Sequence, residues 1–343
     1  MNGKNLHINF MNILIFGGAG FVGRHYTEHF LKKKNFVEVI DNIAPLSGGV
    51  HPRKWKLFNP YKYKKFRFSN KDCRKFFKKK LIKNYDLVIN LAAIVGGREV
   101  IEYNPLAVAE DLEIDTSFWR WAVKNKKRIK HIITYSSSAA YPVHLQRRKK
   151  YRLLKETDID FTKDFLGKPD LSYGWAKLNN EYLGLLAYEK YGIKNTNFRP
   201  FSGYGSDQDL NYPFPSIIKR AINHSKKKKF IVWGSGYQMR DFIHIKDVVR
   251  GSLMIAKKVK NGKAVNLSSG KFTSFIKLST KILNILEKKN IYVLGNSTKP
   301  EGVFARGGAT SLQKKYGFVP KISLDDGIKM AIEFFKKKSL YKN

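Results

Sequence analysis

The chain has 343 residues, of which 43% are hydrophobic and 14% aromatic, and this composition excludes a disordered protein. It carries 66 lysines and arginines against 27 aspartates and glutamates, a formal net charge of +39. The charge alone would suit RNA or an anionic membrane surface, but the lysines form scattered runs without any nucleic-acid-binding motif. We therefore expect solvated surface lysines and no specific nucleic-acid partner, with part of the charge available to attract an anionic substrate.

The sequence contains no segment suited to membrane insertion or export. No apolar run approaches the roughly 20 residues that span a bilayer. The opening MNGKNLHINF lacks the apolar stretch of a secretory signal, and we interpret residues 1–10 as an extension ahead of Met11. Cys73 is the only cysteine, which excludes an internal disulfide and a multi-cysteine metal site. These features predict a cytoplasmic protein without a metal centre.

Short apolar runs alternate with helical patterns through the first 200 residues. Strands are predicted at 11–18, 36–41, 85–93, 129–138 and 194–201, with helical stretches at 20–34, 105–127 and 174–191. Apolar runs of this kind are typical of strands buried on both faces. The alternation predicts a Rossmann-type α/β fold, a doubly wound parallel sheet with helices on both faces.

The residue composition of the sequence changes after Phe201. A loop rich in glycine, proline and aspartate, SGYGSDQDLNYPFP, is followed by a predicted helix at 215–224 and a strand at 229–234. We predict a dinucleotide-binding domain of residues 11–200 plus about 240–268. A smaller mixed α/β C-terminal lobe, residues 201–239 with about 269–335, is predicted to bind the substrate.

The glycine-rich stretch GGAGFVG lies between the first predicted strand and the first predicted helix. Gly17, Gly20 and Gly23 have the spacing that lets a backbone turn approach a pyrophosphate at a helix N-terminus. Asp41 ends the next strand, where a carboxylate binds ribose hydroxyls and repels a 2′-phosphate. The pattern predicts NAD in preference to NADP, although Arg24 weakens that preference.

Tyr173 and Lys177, in the stretch YGWAK, are four residues apart and share one face of a predicted helix. An ammonium beside a phenol favours the phenolate and so can turn a tyrosine into a base. The alternative is a surface pair without chemical consequence.

Several motifs in a fixed order point to one family. They are GGAGFVG (17–23), NLAA (90–93), SSSAAYP (136–142), YGWAK (173–177), FRPFSGYG (198–205) and RDFIHIKDV (240–248). From about Met11 to about Lys329 the chain resembles the extended short-chain dehydrogenase/reductases that act on nucleotide sugars, the NAD-dependent epimerases and dehydratases. The resemblance implies that Tyr173 is the acid/base, that Lys177 lowers its pKa and binds the nicotinamide ribose, and that Ser137 holds the substrate oxygen.

The resemblance also implies where the cofactor and substrate bind. The NAD contacts implied are Gly17, Gly20, Phe21, Val22, Gly23, Asp41, Asn42, Asp72, Cys73, Leu91, Ala92, Ala93, Tyr173 and Lys177. The nucleotide-diphosphate-sugar contacts implied are Gly96, Gly97, Arg98, Ser138, Ser202, Arg240 and Arg306, with Ser138 also a fallback for the catalytic serine. Two alternatives stay open: Arg240 could form a salt bridge with Asp241 or Asp247, and Arg98 could be solvated.

The residues after Ser137 bear on the reaction. Related dehydratases have an Asp-Glu pair there, decarboxylating relatives a nearby glutamate, and GDP-sugar 3,5-epimerases a cysteine where this chain has Ala139. Their absence favours C4 epimerisation through a 4-keto sugar. The alternatives are a 4-ketoreductase, dehydrogenase or dehydratase of surface-polysaccharide or deoxysugar synthesis and, more distantly, a non-catalytic nucleotide-binding protein.

Relatives commonly form homodimers through two helices of each subunit, and we expect a homodimer here. The helical stretch 110–124 contains Phe118, Trp119 and Trp121, which could supply the interface. Alternatively, these aromatic side chains face the sheet.

Overall fold

The computed structural model describes residues 10–96, 98–225 and 228–340. Most of the predicted N-terminal extension and Gly97, a predicted sugar contact, lie outside the described residues.

Strands and helices are numbered along the chain. The strands are β1 (Asn12–Phe16), β2 (Phe36–Asp41), β3 (Phe66–Asn70), β4 (Leu87–Asn90), β5 (Ile132–Tyr135), β6 (Asn195–Pro200), β7 (Ser202–Tyr204), β8 (Lys229–Trp233), β9 (Met239–His244), β10 (Asn261–Leu267), β11 (Phe272–Ser274), β12 (Tyr292–Asn296) and β13 (Ala305–Arg306). The helices are α1 (Phe21–Lys32), α2 (Cys73–Phe76), α3 (Arg98–Tyr103), α4 (Pro105–Ala109), α5 (Asp111–Lys124), α6 (Leu171–Tyr191), α7 (Pro213–Ile222), α8 (Ile245–Ala256), α9 (Phe275–Ile285), α10 (Ser311–Lys315) and α11 (Leu324–Leu340).

Seven of these strands form one parallel sheet in the order β10-β6-β5-β4-β1-β2-β3. The chain order reverses beside β1, between β2 and β4, which is where doubly wound sheets bind ligands. β1 shows why the sheet is covered on both faces: Ile13 and Ile15 pack in one buried cluster, Leu14 and Phe16 in the other. The predicted Rossmann-type fold is confirmed.

The stretch predicted as one helix at 105–127 forms α4 and α5, which meet at Glu110. On α5, Phe118, Trp119 and Trp121 are buried, and the rings of Phe118 and Trp121 lie 6.1 and 5.4 Å from the ring of Phe16. Phe118 and Trp121 therefore face the sheet, while the Trp119 indole N–H donates to Asn180 of α6 at 2.9 Å. Because all three are buried, the prediction that they supply an exposed interface is wrong.

A smaller sheet is built around β9, which pairs with β7, β11 and β13, while β8 and β12 form a separate parallel pair. A buried cluster that includes residues of α7, α9 and α11 packs beside these strands. Of the segment predicted at about 240–268 to return to the first domain, β10 joins the large sheet and β9 belongs to the smaller one. The two-domain division itself stays a prediction.

Within the described ranges, every helix is too short or too polar to cross a bilayer.

Candidate active site

The glycine turn packs directly on the end of β4. Gly17 has φ +71°, and a Cβ there would lie 2.6 Å from the backbone of Leu91 and Ala92. A Cβ on Gly23 would lie 2.5 Å from the Cα of Gly18, so the start of α1 also packs closely on the turn. Gly20 caps α1 without a side-chain hydrogen bond, and the first turn contains no acidic residue. The free N–H groups and the positive end of the helix dipole can therefore receive a phosphate.

A cavity of about 620 Å³ extends from this turn to the start of α6. Ten of the predicted cofactor contacts line it: Gly17, Gly20, Phe21, Val22, Gly23, Leu91, Ala92, Ala93, Tyr173 and Lys177. The cavity size is ordinary for a cofactor or small-molecule site. Its size, its uncapped helix end and its close backbone walls fit a dinucleotide.

Four other predicted cofactor contacts do not line this cavity in the described part of the chain. Asp41 Oδ2 accepts a hydrogen bond from the backbone of Ala19 at 2.9 Å, and Oδ1 accepts one from Ile43 at 2.7 Å. Burial raises the pKa of Asp41, while these backbone bonds oppose that shift. The carboxylate thus holds the glycine turn in place, and its contact with a ribose stays a prediction. Asn42 is exposed and accepts a hydrogen bond from the backbone of Ala44.

Asp72 and Cys73 begin the short helix α2. The Asp72 carboxylate caps the helix through the backbone of Arg74 at 2.8 Å and pairs with the Arg74 guanidinium at 2.7 Å. The Cys73 thiol is buried, and burial raises its pKa to about 12. Both residues have structural roles, and their contact with an adenine stays a prediction.

Tyr173 and Lys177 lie one turn apart at the start of α6, with the lysine Nζ 5.4 Å from the centre of the tyrosine ring. Lys177 is only 4% exposed, and its Nζ is 3.2 Å from Asp111 Oδ2 on α5. Burial alone would lower the pKa of Lys177, but Asp111 and Tyr173 outweigh it and keep the ammonium charged.

Burial raises the pKa of Tyr173, and Asp111 adds to that shift, whereas Lys177 and Ser137 lower it. Lys177 therefore acts in the predicted direction, but the net pKa of the phenol in the protein alone is raised.

The three consecutive serines after β5 have different environments. Ser136 is buried and donates a hydrogen bond to Glu181. Ser137 accepts one from the backbone of Ala139 at 3.1 Å, and its side chain lowers the pKa of Tyr173. Ser138 is buried at the start of a single 3₁₀ turn, Ser138–Ala140. Ser137 is thus the serine that acts on the pKa of Tyr173, which favours it over the fallback Ser138.

Arg98 and Arg306, two of the predicted substrate contacts, converge on the carboxylate of Asp170. Arg98 Nη1 lies 2.9 Å and Arg306 Nη2 2.8 Å from Asp170 Oδ2. Burial alone would raise the pKa of Asp170, but the two guanidinium groups outweigh it and lower the pKa. Arg98 also pairs with Glu102 at 2.6 Å, so the alternative of a fully solvated Arg98 is wrong.

Arg240, beside this pair, donates to the backbone carbonyls of Met239 at 2.8 Å and Val303 at 3.0 Å. Burial and the nearby Arg306 lower its pKa to about 9. Asp241 accepts from Ser269 and its neighbours, and Asp247 pairs with Arg250, so the alternative of a salt bridge from Arg240 to either aspartate is wrong. Two guanidinium groups thus share the Asp170 carboxylate, while that of Arg240 donates to backbone carbonyls, which leaves local positive charge for an anionic ligand.

Gly96 and Ser202, two further predicted sugar contacts, are fixed by packing against neighbouring elements. A Cβ on Gly96 would overlap the Val100 side chain, at 2.2 Å from its Cβ, because the chain passes directly over the first turn of α3. Ser202 lies in β7, opposite Phe242 of β9. Neither residue lines the large cavity as described, and their sugar contacts stay predictions.

The loop after β7 is fastened to α1 by a buried ion cluster. Asp207 accepts from Arg24 Nε at 3.1 Å and lies 2.9 Å from His25 Nε2. Although burial opposes it, hydrogen bonds and charge from His25 and Arg24 lower the pKa of Asp207 to about 2. Because Arg24 and Asp207 both line the cavity, this cluster closes one side of the cofactor space.

Sequence reasoning missed the acidic groups around the site, namely Asp111, Asp115, Asp170 and Asp207. Asp111 and Asp115 carry a detectable signal, since they recur at a four-residue spacing on the buried side of α5. Asp170 and Asp207 lie in irregular segments, where no sequence period marks their burial.

The parallel sheet, the glycine turn and the Tyr173–Lys177 helix together define a dinucleotide-binding α/β protein with a tyrosine–lysine pair lining its cavity. Residues 13–268 match the model of the NAD dependent epimerase/dehydratase family. The chain belongs to this family, and NAD is confirmed as its cofactor.

The relatives cover nearly the whole chain at low identity. A UDP-glucuronate 4-epimerase of Thermodesulfobacterium geofontis is 26% identical, covering 94% of this chain and 96% of its own length. A UDP-N-acetyl-alpha-D-glucosaminuronate decarboxylase of Bacillus cytotoxicus is 25% identical, covering 94% of this chain and 97% of its own. The crystal structure of UDP-glucose 4-epimerase from Thermotoga maritima superposes with a TM-score of 0.77 at 24% identity, covering 96% of this chain and 100% of that one. At this identity the structural likeness shows the fold alone.

Proposed function

We propose that the protein is an NAD-dependent nucleotide-sugar 4-epimerase that retains its cofactor between turnovers. The observation that carries the proposal is the Ser137–Tyr173–Lys177 cluster, followed directly by Ser138 and Ala139. A hydroxymethyl and a methyl side chain cannot remove a C5 proton or expel a C6 hydroxyl. The cluster therefore suits oxidation and re-reduction at C4, which needs one acid/base group.

Each residue of the cluster has a separate role in the reaction at C4. Bound NAD would supply the hydride acceptor and donor at that carbon. Ser137, whose side chain lowers the pKa of Tyr173, would hold the C4 oxygen. The Lys177 ammonium favours the phenolate form of Tyr173, which takes the C4 hydroxyl proton to become a neutral phenol and gives that proton back when C4 is reduced again. Asp111 keeps Lys177 charged and in position through the contact at 3.2 Å.

We propose that the substrate diphosphate binds to the cluster formed by Arg98, Arg240 and Arg306. Arg98, Arg240 and Arg306 present fork-shaped donors that match phosphate oxygens, and Asp170 occupies two of them in the protein alone. A diphosphate that reaches this cluster would compete with Asp170 for Arg306. The 4-epimerase of Thermodesulfobacterium geofontis acts on a UDP sugar, which supports a nucleoside diphosphate as the carrier here.

The homodimer is also a proposal. Exposed aromatic side chains on α6, Trp175, Tyr182 and Tyr188, together with Leu112 on α5, would supply an apolar face. Light scattering on the wild type and on Tyr182→Lys tests this: a dimer that dissociates in the variant is expected, and a wild-type monomer would contradict it.

The test of the proposed reaction is mass spectrometry of small molecules released when the purified protein is denatured. We expect close to one NAD per chain, retained through dialysis, because an epimerase uses the same cofactor in both half-reactions. An empty protein that binds NAD only reversibly would overturn the proposal and favour a dehydrogenase or ketoreductase. Tyr173→Phe is the matched control: it should hold as much NAD as the wild type while losing turnover.

A further inference from the structure

Asp115 is a buried carboxylic acid on the wall of the cofactor cavity. It lies on α5, is 2% exposed, and lines the cavity together with Lys177 and Tyr135. Its Oδ2 has no hydrogen-bond partner among the described residues. A buried carboxyl oxygen without a partner is costly, so its retention beside the catalytic lysine calls for a physical reason.

Asp115 is the second carboxyl group near one ammonium. Asp111, one turn earlier on α5, has its Oδ2 3.2 Å from Lys177 Nζ, an ion-pair contact whose geometry falls short of a hydrogen bond. Its Oδ1 accepts from the backbone of Ile94 at 2.6 Å, which fixes the carboxylate in place. Lys177 therefore has a dedicated counter-ion before Asp115 is counted.

Burial raises the pKa of Asp115 to about 8, with Asp111 adding to the shift and Lys177 opposing it. A carboxyl group with a raised pKa is the neutral acid below that value and ionises as the pH rises through it. At pH 7 Asp115 is accordingly mostly the neutral acid. Burial also raises the pKa of Asp111, against the opposing effects of Lys177 and of the hydrogen bond from the Ile94 backbone.

Several other ionisable groups on the elements around α5 have partners of their own. On α6, Glu181 binds Arg199 at 2.6 Å. Behind β5, the Tyr135 hydroxyl is 2.9 Å from that of Tyr26. Arg74 of α2 pairs with Glu110 and Glu113 on the outer side of α5. Lys177 and Asp111 thus remain as the charges that act on Asp115, and Tyr173 is the titratable group beyond them.

We propose that Asp115 is a positioning residue for Lys177 and Tyr173. As a neutral acid it leaves Asp111 as the single counter-ion of Lys177. When it ionises, it becomes a second counter-ion and weakens the stabilisation of the Tyr173 phenolate by Lys177. Asp111 already raises the pKa of Tyr173, and a second carboxylate on the same helix acts in the same direction. Each unit added to the pKa of Tyr173 lowers the phenolate fraction about tenfold at a fixed pH. The cluster thus sets an alkaline limit on the acid/base group.

The test is a spectrophotometric titration of Tyr173 that needs no substrate. The ultraviolet phenolate signal of Tyr173 is the difference between the wild type and Tyr173→Phe, and it is measured again in the Asp115→Asn background. Asparagine resembles the neutral acid but cannot ionise, so we expect Tyr173 to titrate about one pH unit lower in that background. Glu113→Gln, on the exposed face of the same helix, should leave the midpoint unchanged. Equal midpoints with and without Asp115→Asn would overturn the proposal.

A second measurement observes the acid itself. The infrared carbonyl band of a protonated carboxyl group should be present at pH 7, disappear as the pH rises through about 8, and be missing in Asp115→Asn. Its absence from the wild type at pH 7 would contradict the proposal, as would Asp115→Asn weakening NAD binding without moving the Tyr173 midpoint.

For turnover this inference rests on the proposed function, and the ratio of activity at pH 9 to that at pH 7 should rise severalfold in Asp115→Asn. A shifted Tyr173 titration in a protein without epimerase activity would refute the function and leave this inference standing. Epimerase activity with an unshifted Tyr173 titration would refute this inference and leave the proposed function standing.

Discussion

The ion cluster of Asp207, Arg24 and His25 offers a quantitative test of how the cofactor cavity is closed. The pKa of Asp207 is lowered from 3.8 to about 2, and its side chain is 4% exposed. At about 1.4 kcal/mol per pKa unit, the ionised carboxylate contributes about 2 kcal/mol to folding stability. A depressed pKa means that this contribution is present above about pH 4 and is lost as the pH falls through about 2.

We therefore expect Asp207→Asn to lower the free energy of unfolding in urea by about 2 kcal/mol at pH 7. The difference from the wild type should fall to roughly half that value near pH 3. Asp164→Asn, an exposed carboxylate in the 161–166 segment, is the control and should show no such difference. If Asp207→Asn unfolds like the wild type at pH 7, or if the difference does not change with pH, the reasoning fails.

The same substitution should affect cofactor release, because Asp207 and Arg24 line the cavity. If the cluster must open before NAD leaves, losing about 2 kcal/mol raises the population of the open state up to about thirtyfold. Exchange of bound NAD for radiolabelled NAD should accelerate in Asp207→Asn. An unchanged exchange rate in a destabilised variant would show that release follows another route.

Three further substitutions test the site. Tyr173→Phe should lower turnover about 10²- to 10⁴-fold with unchanged NAD content, and turnover close to wild type would contradict its acid/base role. Arg240→Gln should raise KM for the nucleotide sugar about ten- to a hundredfold with little change in kcat, since charge-assisted hydrogen bonds are worth about 1.5–3 kcal/mol; a kcat loss alone would argue against a diphosphate contact. Gly17→Ala should lower both Tm and NAD content, because it adds backbone strain of about 1–3 kcal/mol and a Cβ 2.6 Å from Leu91. Gly192→Ala, at φ +69° with open space around it, adds only the strain and should leave NAD content intact.

The part of the fold that the sequence predicts well is the large sheet. Its strands are buried on both faces, so β1, β2 and β4 appear as short apolar runs that need no knowledge of their neighbours. β7 and β9 are different: each is defined by pairing within the smaller sheet, and β7 lies inside a segment whose glycines and prolines predict a loop.

Some residues of the candidate site could likewise be predicted from local sequence patterns, and others could not. Gly17, Tyr173 and Lys177 lie in local patterns whose geometry follows from one turn and one helix, and all three line the cavity. The sequence could not show that the Asp41 carboxylate is occupied by backbone N–H groups, nor that Asp170 is buried. Both facts depend on packing between elements that are distant along the chain.

The aromatic residues of α5 show why a helix alone can mislead. A helix rich in phenylalanine and tryptophan can turn that face to a partner or to its own sheet, and periodicity does not distinguish the two. Here Phe118 and Trp121 pack on Phe16 in the core, and the exposed aromatic residues lie on α6, at Trp175 and Tyr182.

The central claim is that one cofactor removes and returns the same hydride at C4. UDP-glucose and UDP-glucuronate deuterated at C4, incubated separately with the purified protein, test it directly by mass spectrometry and nuclear magnetic resonance of the products. For the sugar that reacts, we expect deuterium to be fully retained at C4 of the epimer, with none in free NADH. Deuterium in released NADH, or moved to C6 of a dehydrated sugar, would contradict it.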